Sequence, residues 1–375
     1  MKLADATKFF KRSVIIFISL IFLYFFLKFA FATSIVLYKV LFPPKPAIPT
    51  MTFGKIPSPT IDSYKVNGDI KYVIDTISGK LPTNLPNQLP VYPITKPTRN
   101  ILAEQNAKLS AARFGFKNEA YTAIDTITWK WQSLMPQRSL TLNILTYNYD
   151  IKPNFAQLNL FLRKGEALNQ SSAITNAYTV MSSHPYLEVK RDKVNEQFTA
   201  KTSFAKINQE VLEEASSLSD AQFTKVDVFK KLIYNETTYI IYGERYDNSY
   251  INFLFTNEYA NINNLLLAHV EYYPFDAEKG STYPLKNIFT AWDKLQKGEG
   301  TITKIKGENE DRYQTYTGKE IKTVYLKSVE LAYILEEKPE FIQPIYVFIG
   351  KYESPNGETG DFVSYIPALD DNVLK

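Results

Sequence analysis

Apolar residues form one long run near the start of the chain and short periodic patterns after it. From Ser13 to Tyr38 the sequence is apolar apart from Lys28 and a few hydroxyl side chains. A bilayer core requires about 20 apolar residues in a helix. The run before Lys28 is too short to span, but it resumes and continues to Val36, and Lys28 can extend outward from near the outer leaflet. We therefore predict a transmembrane helix over residues 13–38.

The charges that flank this run predict its orientation. Residues 1–12 carry four cations and one acid, and an excess of Lys and Arg stays on the cytoplasmic side. We expect a cytoplasmic tail at 1–12 and an extracytoplasmic chain from about residue 40. A cleaved signal peptide is the alternative, with a cleavage site at Ala30-Phe31-Ala32. Lys28 stands before that site and apolar sequence resumes after it, so we favour an uncleaved single-pass anchor in the cell membrane.

The segment after the apolar run predicts a spacer. Residues 41–62 contain six prolines and no periodicity, which favours extended polyproline II structure. We assign 39–62 to this stiff spacer. Three extracytoplasmic regions follow, at 63–168, 169–271 and 272–375.

Helical periodicity occurs four times in these three regions. The first pattern, at 101–113, places Leu102, Leu109 and Ala112 inward. The last has Pro284 at its first turn and Gly298 after its end. Its apolar face comprises Leu285, Ile288, Phe289, Trp292 and Leu295. The four predicted helices cover residues 101–113, 172–183, 204–218 and 285–296.

Alternation of apolar and polar residues predicts strands between these helices. A helix followed by antiparallel strands is the α+β pattern, in which a helix covers one face of a sheet. Its repetition predicts tandem helix-on-sheet domains. The predicted strands lie within 64–79, 120–132, 139–151, 223–234, 237–245, 250–257, 265–273, 321–335, 341–352 and 360–369.

Charge and cysteine content exclude several classes of protein. The formal net charge is +4, but residues 1–12 contribute +3 and Lys28 and Lys39 add two, so residues 40–375 sum to −1. A nearly neutral ectodomain has no general attraction for nucleic acid. The absence of cysteine excludes disulfides, thiol nucleophiles and a lipoprotein anchor, and it fits a bacterial extracytoplasmic protein that is held together by packing.

The C-terminal region resembles a known family. It contains YYPF at 272–275, STYPLKNIFTAWDKLQKGEG at 281–300, VELAYIL at 329–335 and QPIYVFIGKY at 343–352, and it closes with SYIPAL at 364–369. These motifs are similar to the C-terminal part of the membrane-anchored YycI and YycH regulators of a sensor histidine kinase in Gram-positive bacteria. They also resemble PepSY-like modules. The resemblance implies a cystatin-like fold and regulation by protein contact. The proline-rich spacer and residues 63–271 depart from the family pattern.

Residues that could carry catalysis are scarce. His184 precedes a proline, and His269 lies in an apolar strand, where a histidine is typical of a packed sheet. No nucleotide-binding, serine-hydrolase or zinc-protease motif occurs. The acidic runs at 308–311 and 370–371 lack the spacing of a calcium loop. We therefore predict no catalytic, cofactor-binding or metal-binding residue and no enzyme activity.

These observations favour a membrane-anchored regulatory or binding protein that acts by protein–protein contact on a sensor kinase or another envelope complex. Ser19, Thr33 and Ser34 are the small polar residues of the membrane helix that could contact a partner helix. We expect neither a small-molecule cofactor nor nucleic acid to bind. Two alternatives stay open: a structural envelope protein that binds wall polymer, and a wall-active hydrolase whose carboxylates are distant in sequence.

Overall fold

The computed structural model describes residues 3–41, 48–117, 120–134, 137–158, 165, 167–208, 210–257, 264–308, 310–314, 316 and 318–375. The chain divides into two compact units, Met1–Ile48 and Pro49–Lys375. The second unit, called the body below, holds the sheets, and the first holds a long helix. Together they give an α+β protein with a mostly sheet body, which confirms the predicted class.

The first unit is dominated by one apolar helix, α1 (Leu3–Leu41). Within it, Ile16–Ser34 is the one span in the described part of the chain that is long and apolar enough to cross a membrane. None of this span is buried against other parts of the protein. An N-terminal helix of membrane-spanning length is therefore confirmed.

Five helices lie in the described part of the body. Three of them, α2 (Ala103–Arg113), α4 (Gln170–Met181) and α6 (Ile288–Gln296), correspond to the predicted helices at 101–113, 172–183 and 285–296. Their ends are shifted by up to three residues. Short 3₁₀ turns occur at Arg191–Lys193, Ala277–Lys279 and Asp371–Val373. The body helices are α2 (Ala103–Arg113), α3 (Phe155–Leu158), α4 (Gln170–Met181), α5 (Val194–Gln197) and α6 (Ile288–Gln296).

Most strands of the body overlap the predicted segments, but those at 88–93, 198–208, 211–214, 281–284, 301–307 and 319–320 lie outside them, and the segment at 139–151 is divided between two strands. The strands are β1 (Val66–Asn67), β2 (Lys71–Ile74), β3 (Gln88–Pro93), β4 (Tyr121–Ala123), β5 (Thr128–Leu134), β6 (Gln137–Asn143), β7 (Tyr149–Pro153), β8 (Phe198–Asn208), β9 (Val211–Glu214), β10 (Phe223–Tyr234), β11 (Thr237–Tyr242), β12 (Ile251–Phe255), β13 (Leu265–Val270), β14 (Ser281–Pro284), β15 (Thr301–Gly307), β16 (Lys319–Glu320), β17 (Thr323–Ile334), β18 (Phe341–Glu353) and β19 (Thr359–Pro367).

The N-terminal sheet is antiparallel throughout. Its strand order is β4-β5-β6-β7-β13-β12-β10-β8-β9. Helices α2 and α4 pack on it through a shared apolar core. The pairing of β7 with β13 joins the strands that follow α2 to those that follow α4.

The C-terminal sheet has the antiparallel order β15-β19-β18-β17. Strands β2 and β11 run parallel to β17 at its two ends. Helix α6 covers this sheet, and Trp292 packs against Phe348 with ring centroids 6.1 Å apart. Strand β3 pairs with β14 and with the start of β18.

Strand β10 connects the two sheets. Residues 223–230 pair with β8 in the N-terminal sheet, whereas Lys231–Tyr234 pair with β11, which in turn pairs with β17. The region boundaries predicted after residues 168 and 271 fall inside the one compact body. They stay predictions.

The second half of the predicted spacer lies against the body. The backbone N–H of Ile56 donates to the carbonyl of Val373 at 3.1 Å. The N–H of Thr60 donates to a carboxylate oxygen of Glu336 at 2.7 Å. Segment 49–62 is therefore held by hydrogen bonds and is not free of the folded part.

The helix predicted at 204–218 is wrong, because residues 204–208 belong to β8 and residues 211–214 form β9. The apolar residues at 204, 207, 211, 215 and 218 fit a helical period, but Val211 and Leu218 are exposed, and the buried residues are Ala205, Ile207 and Ala215. Glu210 has a left-handed backbone (φ 70°) between the strands, so that β9 pairs back on β8. Pairing with β10 on the other side completes the sheet.

Two predicted helix faces are also corrected. In α2 the buried residues are Ala103, Ala107 and Ala111, whereas Leu102 and Leu109 are about half exposed. Alanines four residues apart form a stripe of their own, and apolar size alone chose the wrong face. In α6 the predicted face is buried apart from Phe289, which is 53% exposed, and Leu285, which precedes the helix and is half-buried.

Candidate functional site

The three predicted contact residues lie on the apolar helix. At about 100° per residue, Ser19, Thr33 and Ser34 fall within one third of its circumference. The Thr33 hydroxyl donates to the carbonyl of Phe29 at 2.5 Å, and the Ser34 hydroxyl donates to that of Ala30 at 2.7 Å. Because these hydroxyls are satisfied within their own helix, any gain from a partner helix is modest.

The two histidines occupy different surroundings. His184 is buried among aromatic rings, where its Nδ1 accepts from the N–H of Tyr186 at 3.3 Å. Burial lowers the pKa of His184 to about 4. His269 is one-third exposed and lies between two carboxylates: its Nδ1 is 2.7 Å from Asp150, and its Nε2 is 3.7 Å from Glu271.

The acidic runs are engaged in ion pairs and turns. Asp371 contacts the amino groups of Lys286 and Lys294 at 2.6 and 3.2 Å. Asp370 accepts the N–H of Asn372 at 2.9 Å. Across the residues that the structure describes, no three His, Asp or Glu side chains are placed to hold a metal ion.

Three depressions in the described part of the body differ in size and lining. One of about 30 Å³ lies among Lys230, Tyr250 and Glu271, and it has room for little more than a water molecule. An open one of about 560 Å³ is lined by uncharged residues of segment 84–89 and of β10 and β11. The third, of about 320 Å³, is rich in charge, and we call it the polar cleft. Its charged side chains are Lys225, Arg245, Asp247, Lys304, Lys306, Glu310, Asp311, Arg312 and Lys319.

The polar cleft forms where β10 of the N-terminal sheet meets β15 of the C-terminal sheet. Segment 243–250, which connects β11 to β12, supplies one wall, and residues 310–314, 316 and 319 supply another. A backbone hydrogen bond from Asn248 to Arg245 (3.1 Å) closes a turn in the first segment. Asp247 then pairs with Lys304 at 2.8 Å, which fastens this connection to β15.

Most cations of the cleft have an acidic partner. Lys304 contacts both Asp247 and Asp361. Burial would lower the pKa of Lys304, but the two acids outweigh this effect and raise the pKa. The other pairs are Lys225–Asp227 (3.0 Å), Lys306–Glu214 (2.6 Å), Arg312–Glu214 (3.3 Å), Lys319–Glu310 (2.5 Å) and Lys319–Glu358 (2.7 Å).

The carboxylates of the cleft are poorly suited to proton transfer. Burial would raise the pKa of Glu310, but hydrogen bonds from Lys319 and the N–H of Gly307 lower it. Asp311 accepts the N–H groups of Glu214 and Tyr313 at 2.6 and 2.8 Å. A general acid at neutral pH requires a raised pKa. The arrangement therefore suits the recognition of a charged ligand better than hydrolysis.

Arg245 differs from the other cations of the cleft. Its guanidinium lies over the ring of Tyr64, with Cζ 4.1 Å from the centroid. Its Nη1 is buried and has no hydrogen-bond partner among the residues described. Tyr64 in turn packs against Tyr316, with ring centroids 4.7 Å apart. This side chain is the distinctive binding group of the site.

Sequence analysis did not find this site. Tyr64, Arg245 and Tyr316 come from three separate segments that strand pairing brings together. The one sequence signal is the dipeptide Arg-Tyr, which occurs at 245–246 and again at 312–313. Both arginines line the cleft, but a dipeptide of this kind is too common to predict a site.

Comparison with known proteins adds no function. No protein-family model and no curated protein matches the chain. Among solved structures, an uncharacterized protein from Eubacterium rectale ATCC 33656 is similar at 11% identity with a TM-score of 0.40, covering 82% of this chain and 90% of that one.

Proposed function

We propose that this protein is a membrane-anchored extracytoplasmic binding protein that regulates its partner by protein–protein contact and is not an enzyme. The polar cleft is the observation that carries the proposal. Its carboxylates are held by lysines and backbone N–H groups, whereas Arg245 keeps a buried donor available. Such a constellation recognises charge and offers no activated nucleophile.

The anchor in this proposal is helix α1, uncleaved, with its N-terminus in the cytoplasm. The cations of residues 1–12 support the orientation. N-terminal sequencing of the protein purified from membranes tests it. We expect the native start, and a mature start at Thr33 would rule out the anchor.

The body in this proposal is a tandem array of cystatin-like units. Helices α2, α4 and α6 each precede a set of antiparallel strands, which supports the repetition. The resemblance of residues 272–375 to regulators of a sensor kinase supports a kinase or another envelope complex as the partner. Contacts of Ser19, Thr33 and Ser34 with a partner helix would be secondary.

Site-specific photocrosslinking in intact cells tests the proposed contact. A photoreactive amino acid replaces Gln314, which is exposed at the cleft, or Ile101, which is exposed elsewhere. We expect a membrane or envelope protein to crosslink at 314 and not at 101. The Arg245→Gln change should abolish that adduct, and the matched Arg99→Gln change should leave it.

The alternatives predict other outcomes of the same work. Adducts at 314 that contain only wall material would favour a structural wall-binding protein. Release of soluble fragments from purified wall by the full-length protein would identify a hydrolase. Either result would overturn regulation by protein contact.

A further inference from the structure

The strongest unassigned feature is the unused donor of Arg245. A buried polar group without a partner is rare, because its lost hydration is not compensated. Each lysine that lines the cleft contacts an acid among the described residues, and Arg312 contacts Glu214. Arg245 instead has an aromatic ring on one face and a free Nη1. This N–H group therefore lacks an acceptor among the described residues.

The surroundings of Arg245 hold its guanidinium in a fixed plane. Tyr316 is locked by its own hydrogen bonds: its hydroxyl donates to the carbonyl of Lys65 at 2.6 Å and accepts the N–H of Lys319 at 3.0 Å. Tyr64 lies against this ring, and Arg245 lies over Tyr64. A guanidinium that lies over an aromatic ring still has N–H groups for a planar anion, which arginine can bind through two parallel hydrogen bonds.

From this geometry we infer that the polar cleft binds a carboxylate side chain of an acidic peptide segment, with Arg245 as its bidentate receptor. This inference rests on the proposed function, since it names the chemistry of the partner. A cleft of about 320 Å³ is at the lower end of sites that enclose small ligands. It suits one or two side chains.

The charge of the surroundings favours a carboxylate over a polyanion. The lysines of the cleft are neutralised by acids, several of which stand behind it, such as Glu214, Glu358 and Asp361. Residues 40–375 sum to a charge of −1. A phosphate-rich polymer gains affinity from many unneutralised cations, which this surface does not offer. A single carboxylate requires only Arg245.

Two peptide pools test the inference with the full-length protein in detergent. Both are capped hexapeptides with randomised ends, and the two central residues are glutamate in one pool and glutamine in the other. Hydrogen bonds to a charged group are worth about 1.5–3 kcal/mol, so the Glu pool should be retained at least about tenfold more tightly. Arg245→Lys and Tyr64→Leu should reduce this preference to near unity, and Arg99→Gln should preserve it.

The outcomes separate this inference from the proposed function. Equal retention of the two pools, or retention of neither, overturns the carboxylate receptor. If the Gln314 crosslink to a protein nevertheless persists, the proposed function survives. The protein could instead retain a polyphosphate and not the Glu pool, with this binding lost in Arg245→Lys. That result would assign the site to another anion and would also overturn the inference. Circular dichroism of each variant confirms that folding is intact.

Discussion

The two sheets of the body are covered by helices that fit them in opposite ways. On the N-terminal sheet, α2 and α4 present alanines: Ala107 and Ala111 from the first, Ala173 and Ala177 from the second. On the C-terminal sheet, α6 presents Trp292, which packs between Tyr72 and Phe348. One interface is built mainly on alanines and the other on a tryptophan. The two sheets should therefore respond to opposite kinds of substitution.

The largest effect is expected from removing the tryptophan of α6. Trp292→Ala should lower the free energy of unfolding by about 3–5 kcal/mol, because the aromatic ring leaves a cavity that neighbours cannot fill. Urea unfolding followed by far-UV circular dichroism measures it. Phe289→Ala is the matched control on the exposed side of the same helix, and it should change stability by less than about 0.5 kcal/mol. Equal effects of the two changes would show that the helix packs by another face.

Low pH should separate the two sheets further, since the buried His184 follows α4, the helix that packs on the N-terminal sheet. Burial lowers the pKa of His184 from 6.5 to about 4, so the unfolded chain binds the proton more readily than the folded one. The contribution of neutral His184 to the free energy of unfolding is fully present above pH 6.5. It is lost as the pH drops toward 4, which lowers the free energy of unfolding by up to about 3 kcal/mol.

Urea unfolding at several pH values tests this expectation. His184→Gln should remove the part of the pH dependence that His184 causes, even if the variant is less stable at pH 7. His269→Gln is the control for a histidine that is one-third exposed. A stability profile of His184→Gln that runs parallel to that of the native protein between pH 6.5 and 4 would contradict the assignment.

What the sequence could predict depends on how local the signal is. Strand β10 and the strands from 321 to 369 alternate so regularly that their positions were predicted almost to the residue. The cleft was not predictable, since Tyr64, Arg245 and Tyr316 meet only through long-range pairing. The helix predicted at 204–218 is wrong for a related reason, because the pairing of β8 with β10 outweighs the helical period of the apolar residues.

The alanine face of α2 should show the opposite sensitivity to that of α6. Ala107→Leu inserts a branched side chain into a filled interface and should cost about 1–3 kcal/mol. Ala112→Leu, on the exposed side of the helix, should leave stability nearly unchanged. If both leucine variants keep the native free energy of unfolding, the interface over the N-terminal sheet has spare volume. The stated difference between the two sheets would then be wrong.

The smallest effect concerns the starts of the helices, where the two sheets should not differ. Asn169 caps α4 by accepting the N–H of Ser172 at 2.9 Å, and Asn287 caps α6 by accepting that of Phe289 at 2.9 Å. Each cap satisfies one N–H group that the helix leaves unpaired, so Asn169→Ala and Asn287→Ala should each cost about 1 kcal/mol. The corresponding glycine variants should lower the free energy of unfolding by only a few tenths of a kcal/mol, since glycine leaves the N–H groups open to water. Urea midpoints of the four variants measure the effects. A much larger loss at one asparagine would mean that its side chain also supports the packing of that helix, and the contrast between the sheets would then extend beyond their helix faces.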